Sequence, residues 1–193
     1  MRTSGILLPI SSLPSPGGIG TMGAAAREFV DFLHAAGQHY WQILPVCPTS
    51  YGDSPYQSFS TFAGNPYFID LDQLAEAGLL TPEEYRTIDW ESTPDYINYG
   101  VLYEKRYPVL RRACARLLAN PPEDYEQFLA DNAFWLPDYA LFMALKDAHG
   151  GKSWLEWERP LRLRKPAELD KARRYHKISG RLCSISSTPS GKN

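Results

Sequence analysis

Cysteine is scarce in this 193-residue chain: Cys47, Cys114 and Cys183 are odd in number and far apart. The chain therefore carries neither a disulfide framework nor the close spacing of a metal-binding motif, and a reducing, cytoplasmic setting is expected. Long apolar runs are missing as well. The run GILLPI at residues 5–10 is short and meets Pro and Ser at once, which excludes a signal-peptide core. Nothing approaches the ~20 apolar residues of a transmembrane helix, so no membrane role is expected. An excess of one charge is lacking too. Lys and Arg number 20 against 22 Asp and Glu, a formal net charge of −2, which leaves no electrostatic case for a nucleic-acid or anionic-lipid partner. His34, His39, His149 and His176 have no Ser or Cys partner at a recognisable spacing, and no metal site is expected.

Aromatic residues, in contrast, are plentiful at 13%, with twelve Tyr and five Trp. Tyr and Trp join a flat apolar face to a polar handle. Two readings stay open on composition: a polar ligand with apolar faces, or an aromatic-rich core. With 44% hydrophobic residues the chain can bury one core, as a single domain or a piece of a larger one.

GILLPI, bounded by turn residues, is expected to be a strand buried on both faces. The loop SSLPSPGGIG follows. Residues 24–36 read as a helix, because Ala26, Phe29, Val30, Leu33 and Gly37 recur at helical spacing opposite Arg27, Glu28 and Asp31, with Gly37 at the C-terminal cap. YWQILPV at residues 40–46 is the second strand, so the opening reads as a βαβ unit with two parallel strands. After one more short apolar segment at 67–71 the pattern turns helical. Residues 75–78, a start at Thr81-Pro82 with Glu84, a run over 99–118 that Pro108 should bend or divide, and 134–148 closed by Gly150 and Gly151 all carry helical signals. From Lys152 to Arg181 ten Lys or Arg stand against four Asp or Glu, and from Ser179 the chain is small and polar with no periodicity. A solvated helix followed by a disordered tail is expected there, with a tail for an acidic partner as the alternative.

Each expected strand is followed by an unusually rich loop, SSLPSPGGIG after the first and YGDSPYQSFSTFAGNP after the second. In parallel α/β folds, barrels above all, the loops after the strand C-termini build the active site. Pro and Gly fix shape, Ser and Asp supply hydrogen bonds, and Tyr51, Tyr56 and Phe59 supply flat surfaces. Sugars suit that inventory, since a pyranose shows an apolar face to a ring and a rim of hydroxyls to polar groups. Coverage of a barrel rim is the competing use.

The strings SGILLPISSLPSPGGIGTMG, GQHYWQILPVCPTSYGDSPYQSFSTFAGNPYFIDLD and WLPDYALFMALKDAHGG strongly resemble the 4-alpha-glucanotransferases (amylomaltases or disproportionating enzymes) of glycoside hydrolase family 77, over residues 4 to about 163. The resemblance implies an α/β fold, the N-terminal part of a (β/α)8 TIM barrel with a mostly helical insertion. It also implies transfer of a segment of an α-1,4-glucan to the 4-hydroxyl of another glucan or of glucose, with retention of configuration and without a metal or organic cofactor. Retention needs two carboxyl groups ~5 to 5.5 Å apart. By motif position, Ser54 and Tyr56 would line donor subsites, Asp53 would hold the loop, and Tyr51 and Tyr103 would belong to a second glucan-binding groove. Maltooligosaccharides and other α-1,4-glucans are the implied partners.

Two departures qualify that picture. Gly17 stands where the family usually has an aromatic, which opens one wall of the entrance. A TIM barrel also takes ~250 residues, and the resemblance fades after Arg174 with only two β/α strands supplied. The chain is thus expected to be a fragment, with residues 1–71 the first β/α units, 72–163 a helical insertion and 164–193 a helix start with a tail. No catalytic carboxylate is expected within it. Asp70 and Asp72 would share a face if FIDLD were a strand, but with no third group beside them capping or ion pairing is the expected duty. The alternatives are a non-catalytic glucan-binding fragment, a non-functional truncated product, and a hydrolase acting on the same glucans.

Overall fold

The computed structural model describes residues 2–49 and 53–175. The chain divides into two compact units, the first ending at Asn120 and the second beginning at Pro121.

The first unit opens with strand β1 (Gly5–Leu7), helix α1 (Ala24–Ala35) and strand β2 (Tyr40–Gln42). The strands pair in parallel in the register Gly5 to Tyr40, Ile6 to Trp41 and Leu7 to Gln42, as the βαβ reading required. Parallel pairing demands a crossover, and α1 supplies it. Gly37 ends that helix at φ 65°, its N–H on the His34 carbonyl while Gln38 N–H reaches Leu33, a Schellman stop. Phe29 meets Trp41 edge-on at 5.0 Å, and Trp41 Nε1 donates to the Leu8 carbonyl at 2.8 Å, fixing the helix against β2.

Both strands are shorter than the sequence suggested, three residues each instead of six and seven. The ladder lapses after Leu8 N–H meets the Gln42 carbonyl at 3.0 Å, because the Leu8 carbonyl takes Trp41 Nε1 and Ile10 enters a 3-10 turn. Burial on both faces is also corrected: Ile6 is 37% and Leu7 57% exposed. Two strands and one helix leave the second face and the outer edges uncovered, whereas the expectation came from sheets covered on both sides.

FIDLD is not a strand. Residues Pro66–Phe68 form a 3-10 turn and helix α2 (Leu71–Glu76) starts immediately after Asp70, whose carboxylate caps it by accepting from Gln73 N–H at 3.0 Å. Asp72 pairs with Arg86 at 2.8 Å and accepts from the Tyr85 hydroxyl. The two aspartates therefore do the capping and ion-pairing work that was expected. Helix α3 (Glu83–Arg86) follows, and Glu84 accepts from the Thr81 N–H at 2.8 Å, the reaching-back half of a capping box.

The long helical run is divided as Pro108 foretold. It is α-helical over Tyr99–Val101 (α4), widens to a π-turn over Leu102–Arg106, and resumes as α5 (Tyr107–Ala119). Pro108 can neither donate nor tolerate the carbonyl four residues back, and widening the preceding turn removes that conflict. The core lies between these helices and the chain leading into α2, with Ile19, Tyr67, Leu71, Leu80, Trp90 and Leu102 among its buried members.

The second unit holds α6 (Tyr125–Asp131), α7 (Leu136–Ala148), α8 (Arg159–Arg162) and α9 (Pro166–Tyr175). Helix α6 carries no signal that sequence reading used. Leu141, Leu145, Trp157, Leu169 and Ala172 form its core, so α9 buries a face instead of being wholly solvated. Several of the basic residues that suggested an acidic partner are committed internally: Arg164 and Arg173 flank Asp138 at 2.6 and 3.5 Å. The expected tail from Ser179, with Cys183 and His176, lies outside the described residues. Among those described, no helix is long and apolar enough to cross a membrane.

Candidate functional site

Beyond the C-terminal end of β1 the chain turns at Pro9 and forms a 3-10 turn, Ile10–Ser12; beyond β2 it passes through Leu44 and Pro45 into the aromatic loop. A cavity of about 100 Å³ opens where these two stretches meet. Its apolar lining includes Ile10, Ile19, Leu44 and Phe68, and its polar lining comprises Ser11, Thr49, Asp53, Asn65 and Tyr99. The rich loops after both strands thus converge on one place, as the parallel α/β argument required. The volume is well below the ~300 Å³ at which small-molecule pockets begin.

Local hydrogen bonds shape the loop. Ser54 Oγ accepts from Tyr56 N–H at 3.3 Å, and Ser60 Oγ accepts from the N–H groups of Phe62 and Ala63, both at 3.1 Å. Asn65 Oδ1 accepts from Tyr67 N–H at 3.0 Å, while Asn65 N–H ties the loop end to the Val46 carbonyl at 2.8 Å. Such turns explain why Ser and Asn are frequent there. With loop shape held by small side chains, Tyr56 remains 74% exposed and Phe62 60% exposed. Tyr56 is thus an exposed ring in the loop whose Thr49, Asp53 and Pro55 line the cavity.

Asp53 is the chemically unusual group. Its backbone is left-handed at φ 55°, an uncommon conformation for a residue other than glycine. Partial burial raises its carboxyl above the ordinary range. Burial, followed by the nearby Asp53 charge, raises the Tyr99 hydroxyl. Tyr67 is raised further, by burial first and then by Tyr107, Asp53 and its other ring neighbours. Tyr67 lies 6.1 Å from Tyr99 and 5.8 Å from Tyr107, and Tyr107 meets Tyr103 edge-on at 5.5 Å. A row of tyrosines therefore runs from the cavity wall to Tyr103, which is 59% exposed.

The five residues singled out in the sequence fare differently. Asp53 lines the cavity, Ser54 shapes the adjoining turn, and Tyr56 stands exposed in the same loop. Tyr103 belongs to the π-turn, away from the lining. Tyr51 lies outside the described residues. Sequence reading missed Ser11, Asn65 and Tyr99. Ser11 lay within a loop already marked, but Tyr99 was hidden in a helical run. Among the described residues no cluster of three or more His, Cys, Asp or Glu could hold a metal ion.

Arg106 was also missed. It is wholly buried, with Nη1 donating to the Gly17 carbonyl at 3.0 Å and Nη2 to the Ile69 carbonyl at 2.6 Å. Its guanidinium lies 5.9 Å from the centroid of Trp90. Burial lowers its pKa to about 10, against the opposing pull of Asp70.

The parallel βαβ opening, with its cavity beyond the C-terminal ends of both strands, is the part of the structure to set beside known proteins. The family model described as 4-alpha-glucanotransferase matches residues 8–183, and the chain belongs to that family. It is 51% identical over 162 residues to a 4-alpha-glucanotransferase of Clostridium butyricum, covering 84% of this chain and 33% of the relative. It is 49% identical over 176 residues to the one from Thermus thermophilus, covering 89% and 34%. The structure is similar to that of an amylomaltase from Streptococcus agalactiae in complex with acarbose, with a TM-score of 0.90 and 39% identity, covering 97% of this chain and 38% of that one. The fold class is accordingly the opening part of that barrel enzyme. The chain spans about a third of the length of the curated relatives it matches. Similarity reaches further along the chain than the quoted strings, to residue 183.

Proposed function

We propose that this chain supplies the N-terminal part of a retaining 4-alpha-glucanotransferase, which moves a segment of an α-1,4-glucan to the 4-hydroxyl of a glucan or glucose acceptor. The observation that carries the reading is the cavity beyond both parallel strands, with Asp53 in its wall and the exposed Tyr56 ring in the same loop. Ser54 and Tyr56 form donor-side contacts, Asp53 holds the loop and presents an acceptor to sugar hydroxyls, and Tyr51 with Tyr103 forms a second glucan groove. No metal or organic cofactor takes part. Residues 1–71 are the first barrel units, 72–163 the helical insertion and 164–193 a helix start with the residues that follow it, and the enzyme works in the cytoplasm.

The carboxylates of catalysis lie in parts of the enzyme outside this chain, so the chain alone binds maltooligosaccharides without turning them over. The occupations of Asp70 and Asp72 favour this: one caps a helix and the other holds Arg86 and Tyr85. Neither is free to serve as nucleophile or proton donor. The test is incubation of the 193-residue chain with maltotriose, with chromatography of the products beside a binding titration. Binding without products is expected. Glucose and longer maltooligosaccharides would place the carboxylates inside this chain, and absence of both binding and products would overturn the glucan assignment for it.

A further inference from the structure

Three stretches line the polar side of the cavity: the turn after β1 with Ile10, Ser11 and Ile19, the segment containing Asn65 and Phe68, and the helix start bearing Tyr99. Arg106 touches all three without entering the lining. It sits on the π-turn that continues from Tyr99, and its two Nη groups hold one carbonyl in each of the others, Gly17 and Ile69. We propose that Arg106 is a positioning residue that sets the geometry of the glucan-binding wall by clamping these stretches together. The inference rests on the glucan reading only for the identity of the ligand; the clamp itself does not depend on it.

The chemistry favours a clamp over a general stabilising contact. A wholly buried guanidinium, with Nε lacking a partner, is an expensive way to fill a core. What it offers in return is a rigid planar fork that fixes two carbonyls at a set separation, which neither an apolar side chain nor a single ammonium can do. A Cβ at residue 17 would lie 3.1 Å from Arg106 Nη1, close enough that the fork would have to give by a few tenths of an ångström. On the other arm, Ile69 is followed by Asp70, which is anchored to Thr21 Oγ1 at 2.5 Å, so both arms end on chain that is itself tied down. Gly20 N–H on Ser11 and Met22 N–H on Phe68, each at 3.0 Å, are hydrogen bonds within the clamped stretches and report their order.

The experiment uses the full 193-residue chain as wild type, Arg106→Lys, Arg106→Met and Gly17→Ala, with Glu84→Gln as a control that weakens a remote surface network. Amide hydrogen exchange is measured without ligand, and binding is titrated with maltoheptaose. The clamp predicts that exchange at Gly20 and Met22 quickens at least tenfold in both Arg106 variants, and at the same two amides to a smaller extent in Gly17→Ala, while Ala36, at the end of α1, keeps its wild-type rate. Lys should not rescue it, and maltoheptaose affinity should fall at least tenfold. Exchange that rises uniformly across the chain, or full rescue by Lys, would reduce Arg106 to a stabilising charge and overturn the proposal. If Arg106 variants fail to fold, Gly17→Ala decides the matter, because it disturbs the same contact from the other side. Wild-type chain that binds no maltoheptaose would defeat the glucan reading, and the exchange data would still judge the clamp.

Discussion

Replacing Asp70 by Ala tests whether the FIDLD carboxylate is structural, and the structure sets the size of the effect. Oδ1 caps α2 through Gln73 N–H at 3.0 Å, and losing an N-cap costs about 1 kcal/mol. Oδ2 accepts from the hydroxyl of Thr21, a buried residue, at 2.5 Å; a hydrogen bond to a charged acceptor is worth roughly 1.5–3 kcal/mol. The carboxylate also favours the buried Arg106 charge. Allowing for overlap among these effects, Asp70→Ala should destabilise the chain by about 3–4 kcal/mol. Asp70→Asn keeps an acceptor for the cap and should lose about half of that. Asp72→Asn removes a pair whose carboxylate side chain is 39% exposed, and should stay under about 1 kcal/mol. Gly23→Ala supplies a converse probe, since its Cβ would collide with Asp70 Oδ2 and dislodge the carboxylate without deleting it. Urea denaturation followed by tryptophan fluorescence measures all four. A loss below about 1 kcal/mol for Asp70→Ala, or an equal loss for Asp72→Asn, would refute this division of labour.

Two further outcomes follow from the other unit and from the loop. His149 is raised above 6.5 by its hydrogen bond with Glu158 at 2.9 Å and by the Leu145 carbonyl at 2.7 Å, and Glu158 is lowered below 4.5 by the same contact. A raised histidine adds stability that is full below 6.5 and fades as pH climbs through its folded value, while the lowered Glu158 adds stability that fades as pH falls below 4.5. Thermal melts should therefore fall as pH climbs above 6.5 in the transition that reports the second unit, and His149→Gln should flatten that slope; a slope unchanged in the variant would exclude the pair as its source. Tyr56→Ala should shift stability by less than about 0.5 kcal/mol, because the ring is 74% exposed, yet weaken maltooligosaccharide binding by about 1–3 kcal/mol. Unaltered affinity in a titration would remove Tyr56 from the glucan wall.

What the sequence disclosed about this protein follows the range of the interactions concerned. The βαβ opening was legible because a 3.6-residue apolar period ending at Gly37, between two apolar runs, is local information, and so was the division of the long helix at Pro108. The converging loops were legible for a different reason: parallel strands oblige their C-terminal loops to share one end of the sheet, so topology substituted for contact prediction. Strand burial was misjudged because composition cannot say what covers a face, and the exposed Leu7 and Ile6 carry the same letters as core residues. Arg106 was invisible on both counts. Its neighbours Lys105 and Arg111 give it the look of a solvated helix face, and only contacts 37 and 89 residues away turn it inward. The same logic separates Asp53 from Asp70 and Asp72. All three are aspartates in or beside one aromatic loop, but Asp70 caps α2 and holds Thr21 and Asp72 pairs with Arg86 and Tyr85, whereas Asp53 stands in a left-handed turn with its carboxyl partly desolvated. Asp tolerates that left-handed conformation better than most residues, so the turn was open to this sequence, but its place at the sheet end became visible only in three dimensions.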